Sequence, residues 1–359
     1  MVVIRGIGNG AAGIRRRNVA SCWATLREAR EASVAEIARA VGLSRPTTQP
    51  IMRQLAARGL AIPLPSFSEG PGRPGERYAF APRATRMGCL VMERVGIVTY
   101  GRVDLSSVVT AVRTINVADQ DRDPGWRSAA LDLLTGEALD VLVVAMPGLV
   151  TGEGDVVRVN AAPSWAGFNL RELLNLDPTL QLGAENHVNV AALAESRVGA
   201  GSGLGNQIYL HIAQGLKAGI VIDGELLRGA SFAAGEGPNL AHPAWSFDPT
   251  ESNAALLVDR LVGLVAAPLA QMIGTIDPEL IVLGGPGADH GGPKLRKQLA
   301  AAVGAHLAAR AEPEIRLGEL GAEAALLGAA IRAVELGSAA ILDGEAVAPQ
   351  PPTIERTPS

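Results

Sequence analysis

Two helix starts, separated by one short helix and a glycine, limit what the N-terminal part of this chain can become. Ser33, followed three residues later by Glu36, spells a capping box that opens a helix over Val34–Val41. Ile37, Ala38 and Val41 form its apolar face. Gly42 permits a tight turn, and Leu43 is placed to plug the angle behind it. Ser44 then caps a further helix, with Pro46 tolerated in the first turn and Ile51, Met52 and Leu55 turned inward. Upstream, Val19, Cys22, Trp23 and Leu26 recur at helical spacing between Arg16 and Arg30. Downstream of Leu60 the stretch SEGPGRPGERYAF has a Gly/Pro tip between residues able to pair as strands. Helix, glycine turn, capped helix and β-ribbon in that order predict a winged helix-turn-helix over residues 1–82.

Charge agrees with that reading. Residues 1–82 hold 12 Arg, no Lys and 5 Glu, a net +7, and the chain's overall −4 leaves −11 for the remainder. A basic head on an acidic body predicts a polyanion partner for the head alone. The capped helix turns Arg45, Thr47, Gln49 and Arg53 outward, residue types that bond base edges, and Ser44 belongs to the same candidate DNA-binding face. Arg15, Arg16 and Arg17 are candidates for phosphate contacts, and Arg73 at the ribbon tip for a narrow minor groove. Pro50 removes a helical hydrogen bond, which predicts a bend or a short reading segment. The plainer alternative is a small helical bundle with a solvated Arg-rich face.

At 359 residues, 48% hydrophobic and 19% charged, the chain has material for two or three cores and does not read as disordered. Its two cysteines, Cys22 and Cys89, give neither a disulfide framework nor a metal-site spacing, and read as small buried residues. No segment reaches about 20 consecutive apolar residues, and the basic cluster at Arg15–Arg17 follows the short apolar stretch, the reverse of a secretory signal. A soluble cytoplasmic protein is the expectation. From residue 83 strand-like and helical stretches alternate, the pattern of an α/β fold. Strands are predicted at Leu139–Ala145, Ile208–Ile212, Gly219–Ile222 and Leu280–Leu283, and helices at Asn189–Val198, Ala254–Ile273 and Ala322–Leu336. The Pro-rich residues 338–359 are predicted to be a disordered tail.

The blocks VVAMPGLVTGEGDVVRVN, ENHVNVAALAE, KAGIVIDGELLRGASFAAGE, DPELIVLGG and LGAEAALLGAA each resemble, in order, a block of the ROK family of repressors, unassigned frames and sugar kinases. The head resembles the reading head and wing of that family's repressors. The resemblance implies a two-lobed, ribonuclease-H-like body of the actin/hexokinase type over residues 83–337, with a ligand cleft, assembled as a homodimer or tetramer.

The departures from the family pattern bear on function. Where ROK kinases carry Asp-x-Gly-Gly-Thr to cradle phosphate, this chain has Met92-Glu93-Arg94-Val95-Gly96. The Asp of the family's Asn-Asp pair, its catalytic base, is replaced by His187 beside Asn186. Lys217 occupies a place the second phosphate block leaves bare. Asn239 stands where a sugar-contacting His is usual, and the cysteine loop that supplies zinc ligands is absent. Asn186 and Glu236 match sugar-contacting positions and, with His187 and Asn239, are the candidate ligand-binding residues. The plainer role for that pair is structural, Asn186 bonding a turn and Glu236 meeting an Arg. The expectation is a sequence-specific regulator, a repressor of double-stranded DNA at a palindromic operator, with an inactive kinase-like body and neither cofactor nor metal. A sugar or sugar derivative is the candidate effector. The alternatives are an active sugar kinase with a DNA-binding head, and a body that serves only as a dimerisation or partner platform.

Overall fold

A computed structural model of the chain describes residues 11–65, 75–93, 96–118, 122–160, 162–213, 215–236, 254–307, 312–342 and 351–355. The head comprises α1 (Ala11–Ala29), β1 (Glu31–Ser33), α2 (Val34–Ala40), α3 (Arg45–Ala57), β2 (Ala61–Leu64) and β3 (Arg77–Phe80). Ser33 and Glu36 form the reciprocal capping box, and the Ser44 hydroxyl accepts the Thr47 amide. Gly42 takes φ +69°, so the turn between α2 and α3 uses the left-handed conformation that a side chain would strain. The inward residues Trp23, Leu26, Ile37, Met52 and Leu55 are fully buried, as the periodicity requires. The three strands pair antiparallel in the order β1-β3-β2.

Pro50 does not end α3, which runs on to Ala57. Both Pro46 and Pro50 are exposed, so the Pro46 carbonyl that loses its partner lies on the solvent side, where water can replace the bond.

The body contains β4 (Met87–Met92), β5 (Ile97–Val103), β6 (Val108–Asn116), α4 (Arg122–Leu134), β7 (Val141–Met146), β8 (Leu149–Val150), β9 (Val156–Arg158), α5 (Leu170–Leu173), β10 (Gln181–Asn186) and α6 (His187–Val198) in its first half. The second half holds β11 (Gln207–Ala213), β12 (Gly215–Ile222), β13 (Glu225–Leu226), α7 (Ala254–Ile276), β14 (Leu280–Gly284), α8 (Pro286–His306), β15 (Glu314–Leu317), α9 (Ala324–Ile341) and β16 (Thr353–Ile354). The sheet orders are β10-β7-β4-β5-β6-β16 and β13-β12-β11-β14-β15. Both halves therefore repeat one plan. An antiparallel meander of three strands is followed by two strands parallel to the first, β7 and β10 beside β4, β14 and β15 beside β11. That is the two-lobed ribonuclease-H-like body.

Helix α6, which leaves the first lobe's sheet, packs against β12 of the second and against α9, which in turn covers β4 and β7. Glycines set these approaches. A Cβ on Gly328 of α9 would lie 1.8 Å from the Val190 carbonyl of α6, and one on Gly219 of β12 would lie 2.4 Å from the Ala192 Cβ. The apolar run of α9 is thus explained by its place among the two lobes, where Ala329, Ala330, Ile331 and Ala333 are wholly buried.

The C-terminal expectation needs correction. Helix α9 passes Gly337 and continues to Ile341, with Gly337 and Ser338 buried, because Gly337 packs against Met87, where a Cβ would lie 2.4 Å from its sulfur. Thr353 and Ile354 then pair in parallel with Val108 and Val109 of β6. Two backbone bonds, Thr353 N–H to the Ser107 carbonyl and Glu355 N–H to the Val109 carbonyl, hold a strand that prolines precede and do not interrupt.

Alanine is favoured over glycine inside helices by about 0.8–1 kcal/mol. Gly328→Ala should nevertheless destabilise the protein, by about 1–3 kcal/mol in denaturant unfolding, because its methyl has no room beside Val190. An unchanged or raised stability would mean that α6 and α9 lie further apart.

Candidate functional site

The outward face of α3 is organised by one carboxylate. Glu76, immediately before β3, accepts hydrogen bonds from Gln49 Nε2 at 3.0 Å, Arg53 Nε at 3.3 Å and the Tyr78 hydroxyl at 2.9 Å, and forms an ion pair with Arg53 Nη2. The Arg53 hydrogen bonds, with those of Tyr78 and Gln49, hold the Glu76 carboxyl well below the usual range, at about 2, so it is ionised throughout the neutral range. Arg45 and Thr47 are exposed on the same helix, and the Thr47 hydroxyl lies 2.8 Å from that of Ser44. Ser44 is thereby committed to capping. Arg15, Arg16 and Arg17 are exposed on α1, and Arg15 donates to Gln54 Oε1 of α3 at 3.2 Å, placing its guanidinium beside α3. Arg73 lies outside the described residues.

The second candidate site lies where the lobes meet. Asn186 ends β10 and caps α6, its Oδ1 accepting the Val188 amide at 2.8 Å. Its Nδ2 donates to the Gly148 carbonyl at 2.8 Å and to Glu236 Oε1 at 3.2 Å. The other Glu236 oxygen is ion-paired with Lys217. The structural role foreseen for Glu236 is present with a different partner, Lys217 in place of an Arg. The arginine of that region, Arg228, instead meets buried Glu185 at 2.6 Å. Asn186 and Glu236 therefore already satisfy one another and their neighbours. The cavity beside them, lined by Gly148, Arg158, His187, His211, Lys217 and Glu236, measures about 40 Å³, room for a few water molecules. Asn239 lies outside the described residues.

His187, first residue of α6, is buried with its ring 5.5 Å from that of His211, edge to face. Both rings also line a second cavity of about 110 Å³, with Glu93, Tyr209, Asp289 and the start of α9 on its walls. Burial raises the carboxyls of Glu93 and Asp289. Among the described residues no Lys or Arg lines this cavity. In the turn between β4 and β5, the Glu93 amide donates to the Ile97 carbonyl and the Gly96 amide to the Glu93 carbonyl. Those two N–H groups are committed to the hairpin, while Arg94 and Val95 lie outside the described residues. Among the described residues no three His, Cys, Asp or Glu side chains converge as metal ligands. Cys22 and Cys89 are fully buried, and burial pushes their thiols up to about 11 and about 12.

Glu76, Lys217, Glu93, Asp289 and Tyr209 were not singled out as site residues by sequence, Lys217 and Glu93 being noted only as departures from the family pattern. Glu76 adjoins the ribbon and Glu93 lies within the altered phosphate turn, but only the folded chain shows where their carboxyls point.

Residues 132–244 match the ROK family, and residues 24–62 match the IclR helix-turn-helix domain. A β-glucoside kinase of Listeria monocytogenes is 31% identical over 156 residues, 41% of this chain and 53% of the relative. The chain thus spans about half the length of that kinase. A xylose repressor of Caldicellulosiruptor bescii is 33% identical over 93 residues, 26% of this chain and 23% of its own. Among solved structures, a ROK-family transcriptional regulator homologous to the E. coli Mlc protein covers 92% of this chain and 97% of its own length, with a TM-score of 0.64 at 16% identity. A ROK hexokinase from Thermus thermophilus covers 69% of this chain and 97% of its own, with a TM-score of 0.55 at 23% identity. Residues 132–244 are thus similar to the ROK family and residues 24–62 to a helix-turn-helix of the IclR type, and the solved structures share the fold.

Lys217 and the Glu236 carboxylate are largely withdrawn from water, so removing one strands the other. Lys217→Met should cost about 1–3 kcal/mol of stability, and Lys217→Met with Glu236→Gln should recover most of it. A double-mutant cycle in denaturant measures this; additive losses would mean the pair is not coupled.

Proposed function

We propose that this chain is a sequence-specific DNA-binding transcriptional regulator, a repressor, whose ROK body does not transfer phosphate. The observation that carries the reading is the capped helix α3, which presents Arg45, Thr47, Gln49 and Arg53 on one exposed or half-exposed face of a basic head. Such side chains bond base edges in the major groove, while Arg15–Arg17 on α1 suit the phosphates. The matched xylose repressor and the Mlc-like regulator support the same reading. By its place in the Gly/Pro-rich stretch of the sequence, Arg73 is the head's candidate for the minor groove.

The loss of phosphotransfer is supported by the cleft. A histidine replaces the acid at position 187, Glu236 and Asn186 are bonded within the protein, and the neighbouring cavity is acidic. The body then serves assembly into a homodimer or tetramer, and its polar remnant takes a small hydroxylated effector, a sugar or sugar derivative, if the Lys217 pair yields. The kinase-named relatives favour the competing reading, in which the body still phosphorylates a sugar.

The purified full chain should select a defined site from genomic fragments around its own promoter, with palindromic half-sites spaced by whole helical turns. Arg45→Ala or Gln49→Ala should change which bases are preferred, whereas Arg15→Ala should weaken binding to every sequence and lower the salt slope by about 1. Absence of any sequence preference would end the proposal. Transfer of phosphate from ATP to glucose, mannose or N-acetylhexosamine, abolished by His187→Ala, would establish the kinase reading instead. In thermal-shift measurements, stabilisation by a sugar that depends on Glu236 would identify a sensing body, and its absence across a sugar panel a body used only for assembly or partners.

A further inference from the structure

We infer that Glu76 is the specificity-determining positioning residue of the reading head: it fixes Gln49 and Arg53, two long side chains of α3, so that each offers one particular hydrogen-bonding edge to a base. The inference rests on the DNA-binding reading above and concerns the same face.

Glu76 is itself tied to the rigid part of the head. Its backbone carbonyl accepts the Val34 amide at the start of α2, and its carboxylate takes the hydroxyl of Tyr78, whose ring is buried in the head's core. From that anchored position the carboxylate reaches Gln49 and Arg53 together. A carboxylate only accepts, so Gln49 must turn its NH₂ toward Glu76 and its oxygen away. The amide orientation, otherwise ambiguous, is imposed by chemistry. Gln49 then presents its oxygen and one remaining N–H, the pair that adenine's N6 and N7 recognise.

Arg53 is gripped from the side. Its Nε and Nη2 face Glu76, which leaves the end-on fork of Nη1 and Nη2 pointing outward. That fork is the one that fits O6 and N7 of guanine. An exposed ion pair of this kind adds little stability, since water competes for both partners. Its effect is on geometry: two long side chains enter the groove with their rotamers already chosen, which lowers the ordering needed on binding. A wrong base then faces a side chain that cannot swing to another partner.

The test uses the full chain, double-stranded DNA with a randomised site, and three variants. Glu76→Gln offers one acceptor oxygen where three donors converge, and Glu76→Asp keeps the charge but withdraws the carboxylate by one methylene. Glu36→Gln is the charge control, because it removes one negative charge from the head and keeps a side chain that serves a capping box. Melting of each variant confirms a folded head before selection. The expected result is that Glu76→Gln and Glu76→Asp flatten the preference at one or two adjacent base positions by about tenfold, the discrimination a good bidentate contact supplies, while Glu36→Gln leaves it intact. If the preferences of all three variants match the parent, with Glu76→Gln only binding all DNA more tightly as Glu36→Gln does, Glu76 is a charge mask and the inference fails while the regulator reading stands. If the parent protein itself shows no base preference, the regulator reading fails first.

Discussion

Asn186 stands at the point where the first lobe's last sheet strand becomes the helix that crosses to the second lobe. Three groups converge on its side chain: the amide that opens α6, the carbonyl of Gly148 beyond β7, and the carboxylate of Glu236 beyond β13. One neutral residue therefore registers both lobes against the interlobe helix. The glycine approaches at Gly219 and Gly328 then hold that helix in place from either side. Because the interior of a protein is close-packed, a shift at Asn186 would be transmitted through α6 to β12 and α9 together.

The same arrangement decides how the cleft responds to a guest. Hydroxyl groups entering beside Glu236 meet a carboxylate whose two oxygens already hold Asn186 and Lys217, so they either share the remaining lone pairs or replace one of these donors. Displacing Lys217 releases a cation on the wall shared with Arg158. A ligand is bound only if its own bonds exceed those it breaks, and any change in the lobes follows from that difference.

Much of the fold was legible because local physics and long-range packing agree in this chain. Ser33 with Glu36, Gly42 and Ser44 mark boundaries that side-chain hydrogen bonds enforce, and the structure reproduces each. Strands such as Leu280–Gly284 are buried on both faces and announce themselves as apolar runs. Legibility failed where the outcome depended on a distant partner. Pro50 looked disruptive because its exposure, which lets water serve the freed carbonyl, is a tertiary property. Gly337 and the prolines near Thr353 looked like the end of order, yet Met87 and the edge of β6 supply what local sequence lacks. In the cleft, Asn186 and Glu236 were recognisable as a polar pair, but whether Lys217 or an arginine would meet Glu236 depended on β12 and on Arg228 being taken by Glu185. At the reading face, the outward residues of α3 followed from helical period, while their common acceptor, Glu76, comes from another strand.

The edge of the first lobe's sheet carries a consequence for the head. Strand β16 borrows the backbone of Ser107 and Val109, and the neighbouring Ser106 hydroxyl receives the guanidinium of Arg30, which also lies over Phe80. Residues from opposite regions of the chain thus share one turn, Asp104–Val108, whose own amides at Ser106 and Val108 are gathered by Asp104. Peeling β16 away would bare the β6 edge and loosen that turn from one side, while a movement of the reading head would pull on it through Arg30 from the other. Strand β16 is thus, in mechanical terms, a neighbour of the helix-turn-helix head, joined to it through the one turn that both touch.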